Sequence, residues 1–117
     1  MNKKTLLRSI LFLPAHNKKF LKKIYTTSAD AIAFDLEDGV PRKDLKLARK
    51  NVEDCLRKKN KKKFFVRINS LKTKQLDEDL KIIVHKNLDG IIIPKISTSE
   101  EIKRIEKKIK TIEKKKN

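Results

Sequence analysis

The chain has 117 residues, 32 Lys plus Arg against 15 Asp plus Glu, and a formal net charge of +17. With hydrophobic residues at 38% there is apolar material for one modest core, which excludes a disordered tail. The longest apolar run, Ile10 to Leu13, stops at Pro14 and is strand-sized. Nothing approaches the roughly 18 apolar residues that span a bilayer, so a membrane-spanning enzyme is excluded.

The N-terminus carries Lys3, Lys4 and Arg8, but the apolar stretch before Pro14 and His16 is too short for a signal-peptide core and no small-residue cleavage pattern follows. The expected compartment is cytoplasmic. The single cysteine, Cys55, forms neither an internal disulfide nor a zinc cluster, which suits a reducing compartment.

In chain order, four short apolar runs alternate with four stretches of helical periodicity, the pattern of βαβ units and a parallel sheet. The first run is Ser9 to Leu13. Phe20, Leu21 and Ile24 then share one face, with Lys18, Lys19, Lys22 and Lys23 on the other, predicting an amphipathic helix of two to three turns. The second run, Ala31 to Phe34, ends in Asp35. Leu45, Ala48, Val52, Cys55 and Leu56 recur at helical spacing, which makes Cys55 a small core residue rather than a nucleophile. A third strand, Phe64 to Ile68, precedes a helix with Leu76, Leu80, Ile83 and Val84 on one face and His85 at its end. The fourth strand is Gly90 to Ile93, closed by Pro94. The last helix, basic and amphipathic over 99–117, buries Ile102, Ile105, Ile109 and Ile112 and starts at a capping box, Ser97 with Glu100 or Thr98 with Glu101. Its polar end from Glu113 to Asn117 reads as the helix dissolving. The strands are nearly continuous in apolar residues, which predicts burial on both faces.

The basic excess lies in runs between apolar segments, as in Arg57 to Lys63 and in the last helix, where eight basic residues accompany four acidic ones. Such runs read as solvated faces and loops. Nucleic-acid platforms interleave base-stacking aromatics with their cations, and the five Phe of this chain sit mostly inside the apolar runs. A nucleic-acid role is therefore the third-ranked reading.

In parallel α/β folds ligands bind at the carboxyl ends of the strands. His16 and Asn17 follow the first strand, Asp35, Glu37, Asp38 and Gly39 the second, Arg67 and Asn69 the third, and Lys95 the fourth. Arg67 is the sharpest of these. It interrupts an apolar strand, where an unpaired guanidinium is costly to bury, so it requires an anionic ligand or a nearby carboxylate such as Glu37 or Asp38.

Four segments, Arg8 to Pro14, Asp30 to Pro41, Val66 to Asn69 and Asp89 to Lys95, together resemble the citrate lyase beta subunit and HpcH/HpaI aldolase family. They occur in the family's order over about residues 7 to 98, and Lys46, Ala48 and Arg49 are similar to the family's basic stretch after the acidic loop. Ala15, where many members have Gly, and Ile96-Ser97-Thr98, where many have Val-Glu-Ser, depart from the pattern.

The resemblance implies an α/β fold of four βα units with parallel strands, the N-terminal half of a TIM (β/α)8 barrel, in one truncated domain over 1–117. It implies a Mg²⁺-dependent carbon-carbon lyase acting on an acyl-CoA thioester or a 2-oxo acid aldol. Glu37 and Asp38 would be the catalytic acidic pair near the metal and its waters, and Arg67, Asn69 and Lys95 would bind substrate. The direct metal ligands are expected beyond Asn117, so none is assigned here. A half barrel leaves sheet edges unpaired, so self-association or a partner chain with the second half is expected. An inactive relic or anionic-ligand binding module is the alternative, with a basic nucleic-acid-associated protein behind it.

Overall fold

The computed structural model describes residues 7–58 and 61–116. Lys3, Lys4 and part of the basic run at 57–63 lie outside them. Four strands, β1 (Ile10–Pro14), β2 (Ala31–Asp35), β3 (Lys63–Arg67) and β4 (Gly90–Ile92), form one parallel sheet in the order β1-β2-β3-β4. The helices are α1 (Lys18–Leu21), continued by a 3-10 turn over Lys22–Tyr25, then α2 (Leu45–Arg57), α3 (Leu76–Ile83) and α4 (Ser99–Lys116). Strands that are neighbours in both sequence and space are joined by crossovers of one hand, which stacks all the helices on one face of the sheet. This is the winding of a barrel rather than of a sheet covered on both sides.

The register shows the two faces. Leu13, Ile32, Phe34, Phe64 and Val66 point to the helices and join Leu45, Val52, Leu56, Leu80 and Ile83 in the core, where the Phe34 and Phe64 rings meet edge to face at 5.1 Å. Burying each such side chain contributes about 1.5–3 kcal/mol. The other face carries Ile10, Phe12, Ala31, Ala33, Phe65 and Arg67 and has no helix over it. Burial on both faces therefore holds for β2, every residue of which is buried, but not for β1, where Ile10 and Phe12 are 43% and 44% exposed. The reason is position: β2 is flanked by two strands, and Phe12 lies on the helix-free face of an edge strand.

Three local expectations are corrected. Phe20 is exposed under the Lys23 ammonium instead of buried, because the tightened 3-10 turn lines up Leu21 and Ile24, three residues apart, and leaves Phe20 aside. Ile102 is exposed, while Ile105 is buried and Ile109 and Ile112 pack partly against the core. The last helix does not dissolve after Glu113: it runs to Lys116, whose Nζ donates to the Lys81 and Val84 carbonyls at the C-terminal end of α3, where a cation is favoured. At the start of α4 the Thr98 hydroxyl accepts from the Glu101 N–H, so the cap is Thr98, while the Glu101 carboxylate accepts from the Ser97 hydroxyl at 2.8 Å. Cys55 packs against the core as read, and burial pushes its thiol pKa up. No helix among the described residues is long and apolar enough to cross a membrane.

Candidate active site

All four strands point their carboxyl ends to one rim. Asp35 closes β2 and is 4% exposed, and its carboxylate accepts the N–H groups of Glu37 and Gly39, both at 2.8 Å, folding the acidic loop back over the strand end. Gly39 is required by this closure, since a Cβ there would sit 2.6 Å from Asp35 Oδ2. In the paired register Asp35 faces Arg67, the last residue of β3. The guanidinium clasps the carboxylate with two hydrogen bonds, Nε to Oδ1 at 3.0 Å and Nη2 to Oδ2 at 2.6 Å.

The partner that Arg67 requires is thus Asp35, with Glu37 a more distant neighbour at 3.6 Å from Nε. Sequence reasoning placed Asp35 at the rim but missed this role. The available signal was parallel pairing, which sets the last residues of two adjacent strands side by side. Arg67 also lies under the Phe12 ring at 5.1 Å, a cation–π contact from β1. Among the described residues its Nη1 has no hydrogen bond.

Glu37, with a side chain 7% exposed, stands between two cations: Lys95 Nζ is 2.8 Å from Oε2, and Arg67 Nε lies on the Oε1 side. Lys95 also approaches Asp38 at 3.7 Å. Lys95 follows Pro94 with φ at 53°, a left-handed backbone that a residue with a Cβ adopts at a cost and that brings its ammonium over the acidic loop. The structure brings Glu37, Asp38, Asn69 and Lys95 to one cavity of about 210 Å³, which Ser70 and Thr73 also line. Arg67 is not in that lining; it faces the helix-free side with Phe12.

Asn69 is largely spent on the fold. Its amide nitrogen donates to the Leu36 carbonyl at 2.9 Å and to Asp79 at 2.8 Å. Asp79, fully buried on α3, also accepts the Asn69 N–H and the Arg49 Nε, both at 2.8 Å. Arg49, from the basic stretch of α2, is therefore a brace between α2 and α3, and Asp79 a residue that sequence reasoning missed. Asn17 accepts from the Phe20 N–H as the cap of α1, and the half-buried His16 leaves its Nδ1 without a partner among the described residues. A wider groove of about 900 Å³ lies away from the rim, lined by Asp77, Arg104, Lys107 and Lys108 on α3 and α4.

Burial pushes the Asp35 pKa up, but the hydrogen bonds from Arg67, Glu37 and Gly39 outweigh it and hold the group below its ordinary value. At the opposite end of the sheet Arg8 clasps Asp30 and lowers it to about 2. The Arg67 and Lys95 pKa values are raised by their hydrogen bonds to Asp35 and Glu37. A carboxylate whose folded pKa is depressed contributes stability that is complete above its unfolded value, here 3.8, and is lost as pH falls through the folded value. Urea midpoints are expected to be level as pH falls from 7 to about 5 and to decline below about 4, with a shallower decline in Asp35→Asn. Identical acid profiles for the two proteins would contradict the Asp35 clasp.

The described residues bring no three metal-ligating side chains together, both Asp35 oxygens are filled, and Glu37 faces protein cations. These residues do not make a magnesium site by themselves.

A sequence model of HpcH/HpaI aldolase/citrate lyase matches residues 8–117. The chain belongs to that family. Among relatives of the HpcH/HpaI family, the citrate lyase subunit beta of Escherichia coli strain K12 is 34% identical over 109 residues, 92% of this chain and 36% of its own length. A (3S)-malyl-CoA thioesterase of Cereibacter sphaeroides is 32% identical over 100 residues, 84% of this chain and 35% of its own. A citrate lyase beta subunit from M. tuberculosis, solved with oxaloacetate and magnesium, superimposes with a TM-score of 0.71 and 25% identity over 87% of this chain and 46% of that one. The chain thus spans between a third and two fifths of the length of these curated relatives. Family membership covers both lyases and thioesterases.

Proposed function

We propose that the chain supplies four βα units of a carbon-carbon lyase of the citrate lyase beta type, acting on an acyl-CoA thioester or a 2-oxo acid aldol. The observation that carries this reading is Arg67. Its Nε and Nη2 are fixed by Asp35 and its Nη1 is unspent, so a cation with a donor to spare is held rigid at the strand ends. Such a group holds a substrate carboxylate or carbonyl oxygen without reorganising as charge develops there. When the carbon-carbon bond of a β-hydroxy acid breaks, its electrons pass to the fragment that becomes an enolate, and Arg67 stabilises the oxyanion. The hydroxyl proton needs an acceptor; Glu37 and Asp38 beside the 210 Å³ cavity are assigned that role, and Lys95 orients them. Magnesium accompanies the solved relative but is not assigned to residues of this chain.

The Lys95–Glu37 pair at 2.8 Å favours a second reading, an anion-binding module without catalysis, because that carboxylate already has a counter-ion. Isothermal titration of the chain with oxaloacetate or acetyl-CoA, with and without Mg²⁺, followed by a cleavage assay, tests both. Saturable one-site binding with turnover is expected for the lyase, and binding without turnover for the module. No saturable binding of either compound would remove the rim as a ligand site.

A further inference from the structure

Among the described residues Lys95 alone has a left-handed backbone, with φ at 53°. Glycine would adopt that conformation at no steric cost, yet the position carries a long side chain with a charge at its end. Strain of this kind persists where the surroundings hold it, and it collects at ligand clamps and switch regions. The group that holds Lys95 is Glu37, with Asp38 behind it.

The Lys95–Glu37 pair is unequal. The Glu37 side chain is buried, and among the described residues Lys95 Nζ, 2.8 Å from Oε2, is the one group within hydrogen-bond distance of its carboxylate. The Lys95 side chain is 64% exposed, so water and the exposed Asp38 remain for its ammonium when it leaves, and leaving lets the backbone relax. Glu37 is not stranded by the departure, because Arg67 Nε stays 3.6 Å from Oε1. The two cations on Glu37 thus differ in kind. Arg67 is fixed by its bidentate clasp on Asp35, whereas Lys95 is held by ion pairs at a strained position. Lys95 and Glu37 line the same 210 Å³ cavity, so an anion entering there meets the exchangeable cation.

We propose that Lys95 is a latch on Glu37. In the free chain its ammonium holds the carboxylate; an anionic ligand in the cavity draws the ammonium to itself and leaves Glu37 to accept a proton from that ligand. Lys95 is then a positioning residue that acts through Glu37, and the counter-ion at Glu37 belongs to the unliganded state. A ligand shifts such an equilibrium only by binding one state better, and the open state alone offers it the whole ammonium. The latch rests on the reading of the rim as a ligand site.

The test follows the side-chain carboxyl carbon of Glu37 by NMR in the full chain, assigned by its loss in Glu37→Gln, while oxaloacetate is added at moderate salt. The signal is expected to move saturably toward the position it has in ligand-free Lys95→Met, where no ammonium holds the carboxylate. In Lys95→Met, oxaloacetate should bind about tenfold more weakly and leave the Glu37 signal nearly in place at saturation. Lys95→Arg keeps the charge and should return the signal of the free chain to the closed position. Saturable binding with Glu37 unmoved would overturn the latch and leave the rim reading standing; no saturable binding would overturn both. A Glu37 signal in free Lys95→Met identical to the parent's would also overturn the latch. Lys95 is exposed, so circular dichroism should show a retained fold; should Lys95→Met not fold, Lys95→Gly, which suits the left-handed backbone, decides.

Discussion

Arg67→Ala is expected to weaken binding of a 2-oxo acid or acyl-CoA by about a hundredfold or more, a loss of about 3 kcal/mol. Among the described residues, the side chain is the one rim cation whose position is fixed by two hydrogen bonds to a buried carboxylate and by a ring above it. Removing it also leaves Asp35 with two backbone donors but no counter-ion, a cost of about 1–3 kcal/mol in stability. Arg67→Lys separates the two effects. A lysine keeps the charge that Asp35 requires but cannot clasp it bidentately while presenting a further donor, so stability should largely return and affinity should not. Calorimetric titration alongside urea denaturation checks both. Unchanged affinity in a folded Arg67→Ala would remove Arg67 from the site.

The largest effect on stability is expected from Asp79→Ala, a loss of about 3–5 kcal/mol. Asp79 is fully buried and holds Arg49 of α2 and both nitrogens of Asn69, so α2, α3 and the loop after β3 meet in one carboxylate. The alanine strands the Arg49 guanidinium, 13% exposed, with only Gln75 for a partner. A fall in melting temperature of about 15 °C or more follows for a domain of this size. Asp79→Asn keeps an acceptor and should lose less. A melting temperature of Asp79→Ala within a few degrees of the parent would show that the network is ornamental.

The strands and helices were legible because period-two and period-3.6 patterns are local, and the rim was legible because polar residues punctuate the ends of apolar runs. Arg67 stood out as a charge within a strand. Its partner did not, because Glu37 and Asp38 looked equally available until register put Asp35 opposite it. The Arg49–Asp79–Asn69 network joins residues up to 30 positions apart, each unremarkable in its own window. Asn69 read as a ligand group because it follows a strand, yet its amide nitrogen serves the fold. The exposure of Phe12 was hidden for another reason: an apolar strand reads the same whether or not its second face is covered. Lys116 looked like a frayed tail because nothing in the sequence shows that α3 ends beside it.

The account rests on one rigid cation at the rim rather than on the charge of the whole surface. An NMR titration that follows the arginine side-chain N–H signals while pyruvate is added at moderate salt tests this most directly. Arg67 is expected to shift and saturate, with Arg8 and Arg104 unmoved. Shifts spread over the exposed arginines and erased by salt would contradict it.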